Sequence, residues 1–372
     1  MNERRDPMDI VDAVAPALTE DARRHDAEGR FVAEGYRRLR EHRFFSAGVP
    51  VALGGGGASH GALCEALRAM AHACPATALS ASMHTHLVAA AVYKHRHGEG
   101  GEGLLRKVAE GERALVSTGA GDWLASNGRA ERVDGGYRVS ARKPFASGAP
   151  TGDLMITSVA HDDPMEGEVV LHFPVPLDAD GVTVGDDWDA MGMRGTGSHT
   201  VALEGVFVPD EAIALRRPRR GWHPVWSVVL TVAAPIYTAV YVGVAEAARD
   251  RALELVRGGD AAHETMLAGE MDTARMAARI ALDDLVGNAA EYDFEPALER
   301  ANRALVGKSL AVDAAIRCVE AATELVGGRA YLTRSGLERL LRDVRAGLHH
   351  PLPPARQRGF TGRLALDLAP AA

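Results

Sequence analysis

Two stretches with the hydrophobic period of helices enclose one block with the character of strands. In residues 10 to about 43, apolar Ile10, Val14, Leu18 and Ala22 recur at helical spacing with charges between them. Residues 62–73 and 76–94 read as two helices rich in Ala and Leu, and 102–111 as a shorter one. Between residues 116 and 209 the pattern changes. Short runs such as Tyr137-Arg138-Val139-Ser140, Leu154-Met155-Ile156-Thr157-Ser158-Val159 and Val169-Val170-Leu171-His172-Phe173 have strand composition. A fourth, 200–208, alternates in part and is rich in β-branched residues. After Pro218 the helical period returns, with one or two helices over 225–256 around Pro235 and long ones over 264–290 and 296–326. Leu282, Leu285 and Val286, then Leu305, Val312 and Ile316, mark their buried stripes, and Gly327-Gly328 is a helix stop before a last helix at 336–344. Helices, then strands, then helices predict a layered α+β fold and not a βαβ wind. The expected parts are an N-terminal helical domain (1–112), a middle antiparallel β domain (113–215) and a C-terminal helical bundle (216–372).

Composition narrows the function classes. A chain of 372 residues, 47% hydrophobic and 25% charged, is long enough and apolar enough for such a core. A formal charge of −8 disfavours nucleic acid as a partner. The basic run Arg216-Arg217-Pro218-Arg219-Arg220 runs against that charge; it reads as a solvated interdomain loop or as a contact for phosphates. Cys64, Cys74 and Cys318 show neither a CxxC pair nor metal spacing, which fits a reducing cytoplasm. The start carries no apolar segment of the signal-peptide kind. The apolar stretch 225–245 approaches membrane length, but Ser227, Thr231, Pro235 and Tyr237 interrupt it, so it reads as a buried core helix and no membrane is expected. Gly54 to Gly57 lack the Gly-Lys-Ser/Thr ending of a phosphate loop and read as a tight connection. His84 and His86 stand two apart, so they do not share a helix face, and no metal site is expected.

Three knots rich in Gly or hydroxyl residues punctuate the β block: Ser117-Thr118-Gly119-Ala120-Gly121-Asp122-Trp123, Lys143-Pro144-Phe145-Ala146-Ser147-Gly148-Ala149, and Met191-Gly192-Met193-Arg194-Gly195-Thr196-Gly197-Ser198-His199-Thr200. In this order, with Val206-Phe207-Val208-Pro209 after them, they resemble the middle domain of the acyl-CoA dehydrogenase superfamily, and the flanks resemble its two helical domains. The resemblance implies a flavin laid across the β domain against the bundle. No GxGxxG follows a strand, so a Rossmann site is not expected. By resemblance Ser117 and Thr118 serve the pyrimidine side of the ring, and Gly121 and Asp122 of the same knot belong to the cofactor site. Phe145 and Ser147 contact it near N5, and Arg194 belongs to the third knot. Glu324, Gly327 and Gly328 stand where the family has Gln-x-x-Gly-Gly, which meets the adenosine end of FAD from an adjacent subunit. A homotetramer or homodimer is therefore implied. The family's Arg-x-x-Phe-Gly is replaced by Arg257-Gly258-Gly259-Asp260, which suggests altered FAD binding, as reduced FAD or FMN supplied by a flavin reductase.

The family's dehydrogenases take the α-proton of an acyl thioester with a glutamate from one of two regions. Here no Asp or Glu occurs in 344–366 or in 212–245. His349 or His350, after Arg342-Asp343, could move the proton instead, with His84 or His86 as a second histidine. A histidine in that loop resembles the superfamily's monooxygenases, which use reduced flavin and O2. Three readings stand: a monooxygenase or oxidase acting on a small organic substrate, an acyl-CoA dehydrogenase with a displaced base, and a non-catalytic assembly subunit that keeps the fold.

Overall fold

The computed structural model describes residues 6–118, 124–257 and 261–370. The N-terminal part comprises α1 (Pro7–Glu28), α2 (Ala33–Glu41), α3 (His60–Ala73), α4 (Pro75–Arg96) and α5 (Glu102–Gly111). The single helix expected over 10–43 is two. Asp6 caps the N-terminus of α1, and Gly29 ends it in the left-handed region at φ 64°, so the chain turns although the apolar period continues. The glycine run folds back on itself, with Gly56 N–H on Ser46 O (3.0 Å) and Gly57 N–H on Val49 O (2.8 Å).

The β domain comprises β1 (Leu115–Ser117), β2 (Arg129–Val133), β3 (Gly136–Lys143), β4 (Leu154–Asp163), β5 (Gly167–Pro176), β6 (Val182–Val184), β7 (Val201–Pro209) and β8 (Leu215–Pro218). They form one sheet in the order β6-β7-β3-β2-β4-β5-β8, with β1 beside β4. Most pairings are antiparallel; β1 with β4, and a single residue pair between β2 and β4, are parallel. Strand β8 takes up Arg216 to Pro218 of the basic run, which reads as a loop in the sequence. Arg217 is 1% exposed and donates to Leu124 O (2.6 Å) and His172 Nε2 (3.0 Å). Arg216 pairs with Asp163 and Glu166, and Arg219 and Arg220 pair with Glu168. Its charges close the sheet edge internally.

The C-terminal part comprises α6 (Pro224–Leu255), α7 (Ala262–Ala289), α8 (Leu298–Val326), α9 (Leu337–Val344) and α10 (Pro354–Ala365). Helix α6 runs unbroken through Pro235. It is long and apolar enough to cross a membrane, yet 94% of its apolar window is buried in the protein. Gly243 lets it approach α3, since a Cβ there would lie 2.2 Å from Arg68 O. The two helical parts share one core: Leu67 and Met70 of α3 and Val88 of α4 belong to the same cluster as Val240 and Val244 of α6 and Leu305 of α8. The sheet carries a second core around Val139, Met155, Leu171 and Val201.

One buried carboxyl ties the bundle to the third knot. Asp343 on α9 is 3% exposed and accepts the Met193 N–H. Burial raises it to about 6, against the pull of that N–H and of Arg339 and Arg342. A carboxyl raised above its unfolded value stabilises the fold fully below about pH 4, and that contribution is lost as pH rises through 6. The loss is on the order of 3 kcal/mol for a carboxyl that ionises near pH 6 when folded and near the ordinary aspartate value when unfolded. Asp343→Asn keeps an acceptor for Met193. Its stability relative to wild type is therefore expected to improve between pH 4.5 and pH 7, read as the difference in denaturant midpoints. A difference that does not change with pH would show that the carboxyl is not the titrating group.

Candidate active site

Helix α4 is the ruler of the site. Ser80 Oγ donates to Thr196 O (3.1 Å) and so holds the third knot; six residues on, His86 Nε2 meets Ser117 Oγ (3.2 Å) and holds the first. At about 1.5 Å rise per residue the two anchor points lie roughly 9 Å apart along the helix. The second knot joins the third at the Ser80 end, where Ser147 Oγ meets Ser198 Oγ at 2.7 Å. Gly148, at φ 80°, allows this turn, because a Cβ there would lie 2.6 Å from the Tyr36 hydroxyl. Phe145 precedes it at φ 60° and is 52% exposed, edge-on to Trp188 with ring centroids 6.1 Å apart. A bulky residue held in the left-handed region and left in the open makes this face a candidate for ligand contact.

The histidines separate by their partners. His84 is structural: its Nε2 donates to Phe45 O (2.8 Å) and its Nδ1 accepts the Leu115 N–H (2.9 Å), so neither nitrogen is left for chemistry. His86 donates through Nδ1 to Ser82 O (3.3 Å), which leaves Nε2 to accept from Ser117. Burial lowers both imidazoles to about 4, so both are neutral at pH 7. His349 points to solvent. His350 packs inward, stacked on Tyr237 (4.7 Å, 10°) and edge-on to Tyr241 (5.6 Å). Enclosure lowers His350 to about 3, and Lys308, His86 and His349 add to the shift. Among the described residues nothing hydrogen-bonds its ring. The buried Tyr241 hydroxyl is also without a partner, and that of Tyr237 donates to Pro351 O (3.2 Å). Lys308, 1% exposed, holds Leu352 O (3.0 Å) and with it the loop carrying His350.

Other expected residues are placed differently. Arg194 is taken up by α1: its Nε donates to Asp26 O (2.9 Å) and its Nη1 to Ala190 O (3.2 Å). It clamps two domains together, and Thr196 and Ser198 of the same knot are the residues facing Ser147. Thr118 Oγ1 donates to the Thr157 hydroxyl (2.8 Å). Gly121 and Asp122 lie outside the described residues. Glu324, Gly327 and Gly328 lie exposed at the end of α8, and a Cβ on either glycine would meet nothing within 4 Å. Among the described residues no group of His, Cys, Asp and Glu could hold a metal ion. Thr196, Ser198, Tyr237, Tyr241 and Lys308 were not singled out from sequence. The i,i+4 spacing of the two tyrosines on an apolar helix was the available signal.

An exposed aromatic face, hydroxyls at both ends of an edge of roughly 9 Å and a neutral histidine against two tyrosines suit a flat heteroaromatic ring with hydrogen-bonding edges. Together with a sheet that carries its own core beside two helical parts sharing another, this fits a flavoprotein oxidoreductase. The chain belongs to the acyl-CoA dehydrogenase family: the family's N-terminal domain matches residues 9–112, its middle domain 118–206 and its C-terminal domain 236–352. L-evernosamine nitrososynthase of a Micromonospora species is 31% identical over 367 residues, covering 92% of this chain and 85% of the relative. A dibenzothiophene monooxygenase of Rhodococcus erythropolis is 27% identical, covering 93% and 90%. KijD3, solved in complex with FMN and dTDP-3-amino-2,3,6-trideoxy-4-keto-3-methyl-D-glucose, is similar with a TM-score of 0.90 at 28% identity, covering 99% of this chain and 95% of that one. This chain is thus a flavin-dependent, monooxygenase-like oxidoreductase of the superfamily.

Proposed function

We propose that the protein oxygenates a heteroatom of a small organic substrate, the nitrogen of an amine first among them, using O2 and reduced flavin delivered by a flavin reductase. His350 carries the reading: it is neutral, its nitrogens have no partner among the described residues, and it stands in the loop where the family's dehydrogenases have a carboxylate. The nearest acid in sequence, Asp343, is already committed to Met193. The bound flavin supplies two electrons that, with O2, send one oxygen atom to the substrate and the other to water.

The residues of this chain do the rest. Phe145 offers the ring an apolar face, Ser147 its edge near N5, and Ser117 with Thr118 its pyrimidine edge. His350 takes or returns a proton at a ring nitrogen. Tyr237 and Tyr241 cover two sides of its ring. The amine preference rests on the nitrososynthase relatives and on KijD3. FMN is favoured as the flavin, since Arg257-Gly258-Gly259-Asp260 lacks the Phe-Gly of the family's FAD-binding motif. The open end of α8 supports a site completed by a second copy of the chain, in a homodimer or homotetramer.

Stopped-flow absorbance in both directions tests this on enzyme sized by light scattering. Reduced enzyme mixed with O2 should turn over an amine with oxygen incorporation. Oxidised enzyme mixed with acyl-CoAs should bleach roughly 10²–10⁴-fold more slowly than a relative with a positioned base. Rapid bleaching by an acyl-CoA would sink the proposal and restore dehydrogenation.

A further inference from the structure

The hydrogen bonds behind the site have a direction. Met193 O is a carbonyl and can only accept, so Thr196 Oγ1, 2.9 Å away, donates its one proton there. The 2.7 Å contact between Thr196 and Ser198 must then be bridged by the proton of Ser198. With that proton used, the 2.7 Å contact between Ser198 and Ser147 requires the proton of Ser147. Ser147 is left with lone pairs alone to present. Exposure of 8% at Ser147, 7% at Ser198 and 0% at Thr196 shields the chain largely from bulk water. At the other edge, His86 donates through Nδ1 to a carbonyl, so its Nε2 takes the proton of Ser117. That hydroxyl also faces outward as an acceptor.

We propose that Thr196 and Ser198 are positioning residues that fix Ser147 as a hydrogen-bond acceptor and thereby make the site select reduced over oxidised flavin. The inference rests on the placement of the ring's N5 near Ser147. Oxidised flavin has a lone pair at N5, which would face the lone pairs of Ser147. Two-electron reduction puts a proton on that nitrogen and turns it into the donor Ser147 accepts. Ser117 gives no such preference, because the N3–H of the pyrimidine edge is a donor in both states. The chain is thus built for a cofactor that arrives reduced and departs once oxidised.

The test measures dissociation constants for oxidised FMN and, anaerobically, for reduced FMN, on the folded full-length chain. Wild type is expected to hold reduced FMN about tenfold more tightly, the scale of one hydrogen bond gained against one lone-pair conflict. For this two-electron couple that ratio raises the potential of bound flavin by about 30 mV over free flavin. In Ser198→Ala the Ser147 proton can turn outward, so oxidised FMN binds more tightly and the ratio falls toward one. Thr196→Val removes the anchor and moves the ratio the same way. Ser147→Ala lowers it by weakening the reduced complex, and Ser117→Ala weakens both states alike. FMN bound with a ratio unchanged in both Ser198→Ala and Thr196→Val overturns the proton direction alone. A wild-type chain that binds neither state overturns the flavin placement and this proposal with it.

Discussion

Alanine at position 350 is expected to lower substrate oxygenation by about tenfold, the scale of one hydrogen bond from a neutral imidazole, while flavin affinity changes little. The expectation follows from how the ring is held. Tyr237 and Tyr241 fix the plane of His350 by packing, and no hydrogen bond from the described residues competes for its nitrogens. Its imidazole, lowered to about 3, stays neutral over the whole physiological range. Activity should therefore show no step near pH 6.5 from this group, and its protonation should matter only as pH falls toward 3. The same substitution at solvent-exposed His349 is the matched comparison and should have little effect. Equal losses in the two variants, or a loss of oxygenation that merely follows lost flavin, would remove His350 from the chemistry.

Leucine at position 147 is expected to weaken flavin binding by on the order of 100-fold, equivalent to about 2.7 kcal/mol. The site has no slack there. Ser147 is 8% exposed, lies 2.7 Å from Ser198, and is followed by Gly148, whose turn is closed against Tyr36. Leucine would remove the acceptor and push its branched end into the space left for the ring. Overpacking of this kind costs about 1–3 kcal/mol of stability as well. The thermal midpoint and the flavin titration should both fall, and Ser147→Thr should recover most of the first. Unchanged affinity in a folded Ser147→Leu protein would place the ring elsewhere.

Much of this was legible in the sequence, and the remainder was hidden for identifiable reasons. The knots stood out because glycines and hydroxyls interrupt strands only where the backbone must turn or be approached closely. Strand β8 did not, because Arg216-Arg217-Pro218 has the composition of a loop and pairs only at the edge of β5. Helix α10 was missed for a similar reason: 354–365 carries Arg356, Arg358 and Arg363 and few apolar residues. Helix α1 looked too long because an apolar period reports burial, and burial persists across the turn at Gly29. His84 and His86 are equivalent as letters. Only packing shows that one bonds backbone at both nitrogens while the other turns toward Ser117. Arg194 was singled out by its knot alone, and only the fold shows that its guanidinium meets the carbonyl end of α1.

The shared core of the two helical parts has a consequence for how the chain is made. Helices α3 and α4 leave the ribosome early, but α6, which covers their apolar faces, is complete only at Leu255. At about 5–20 residues per second, roughly 10–30 seconds separate the two events. During that interval Leu67, Met70 and Val88 lack the α6 surface that completes their core, and the sheet condenses in between around its own side chains. The nascent protein is therefore a finished β unit attached to half of a helical one. Truncation before α6 should yield a species that binds holdase chaperones, and synonymous changes that slow translation between β8 and α6 should cost yield without altering a single contact of the finished enzyme.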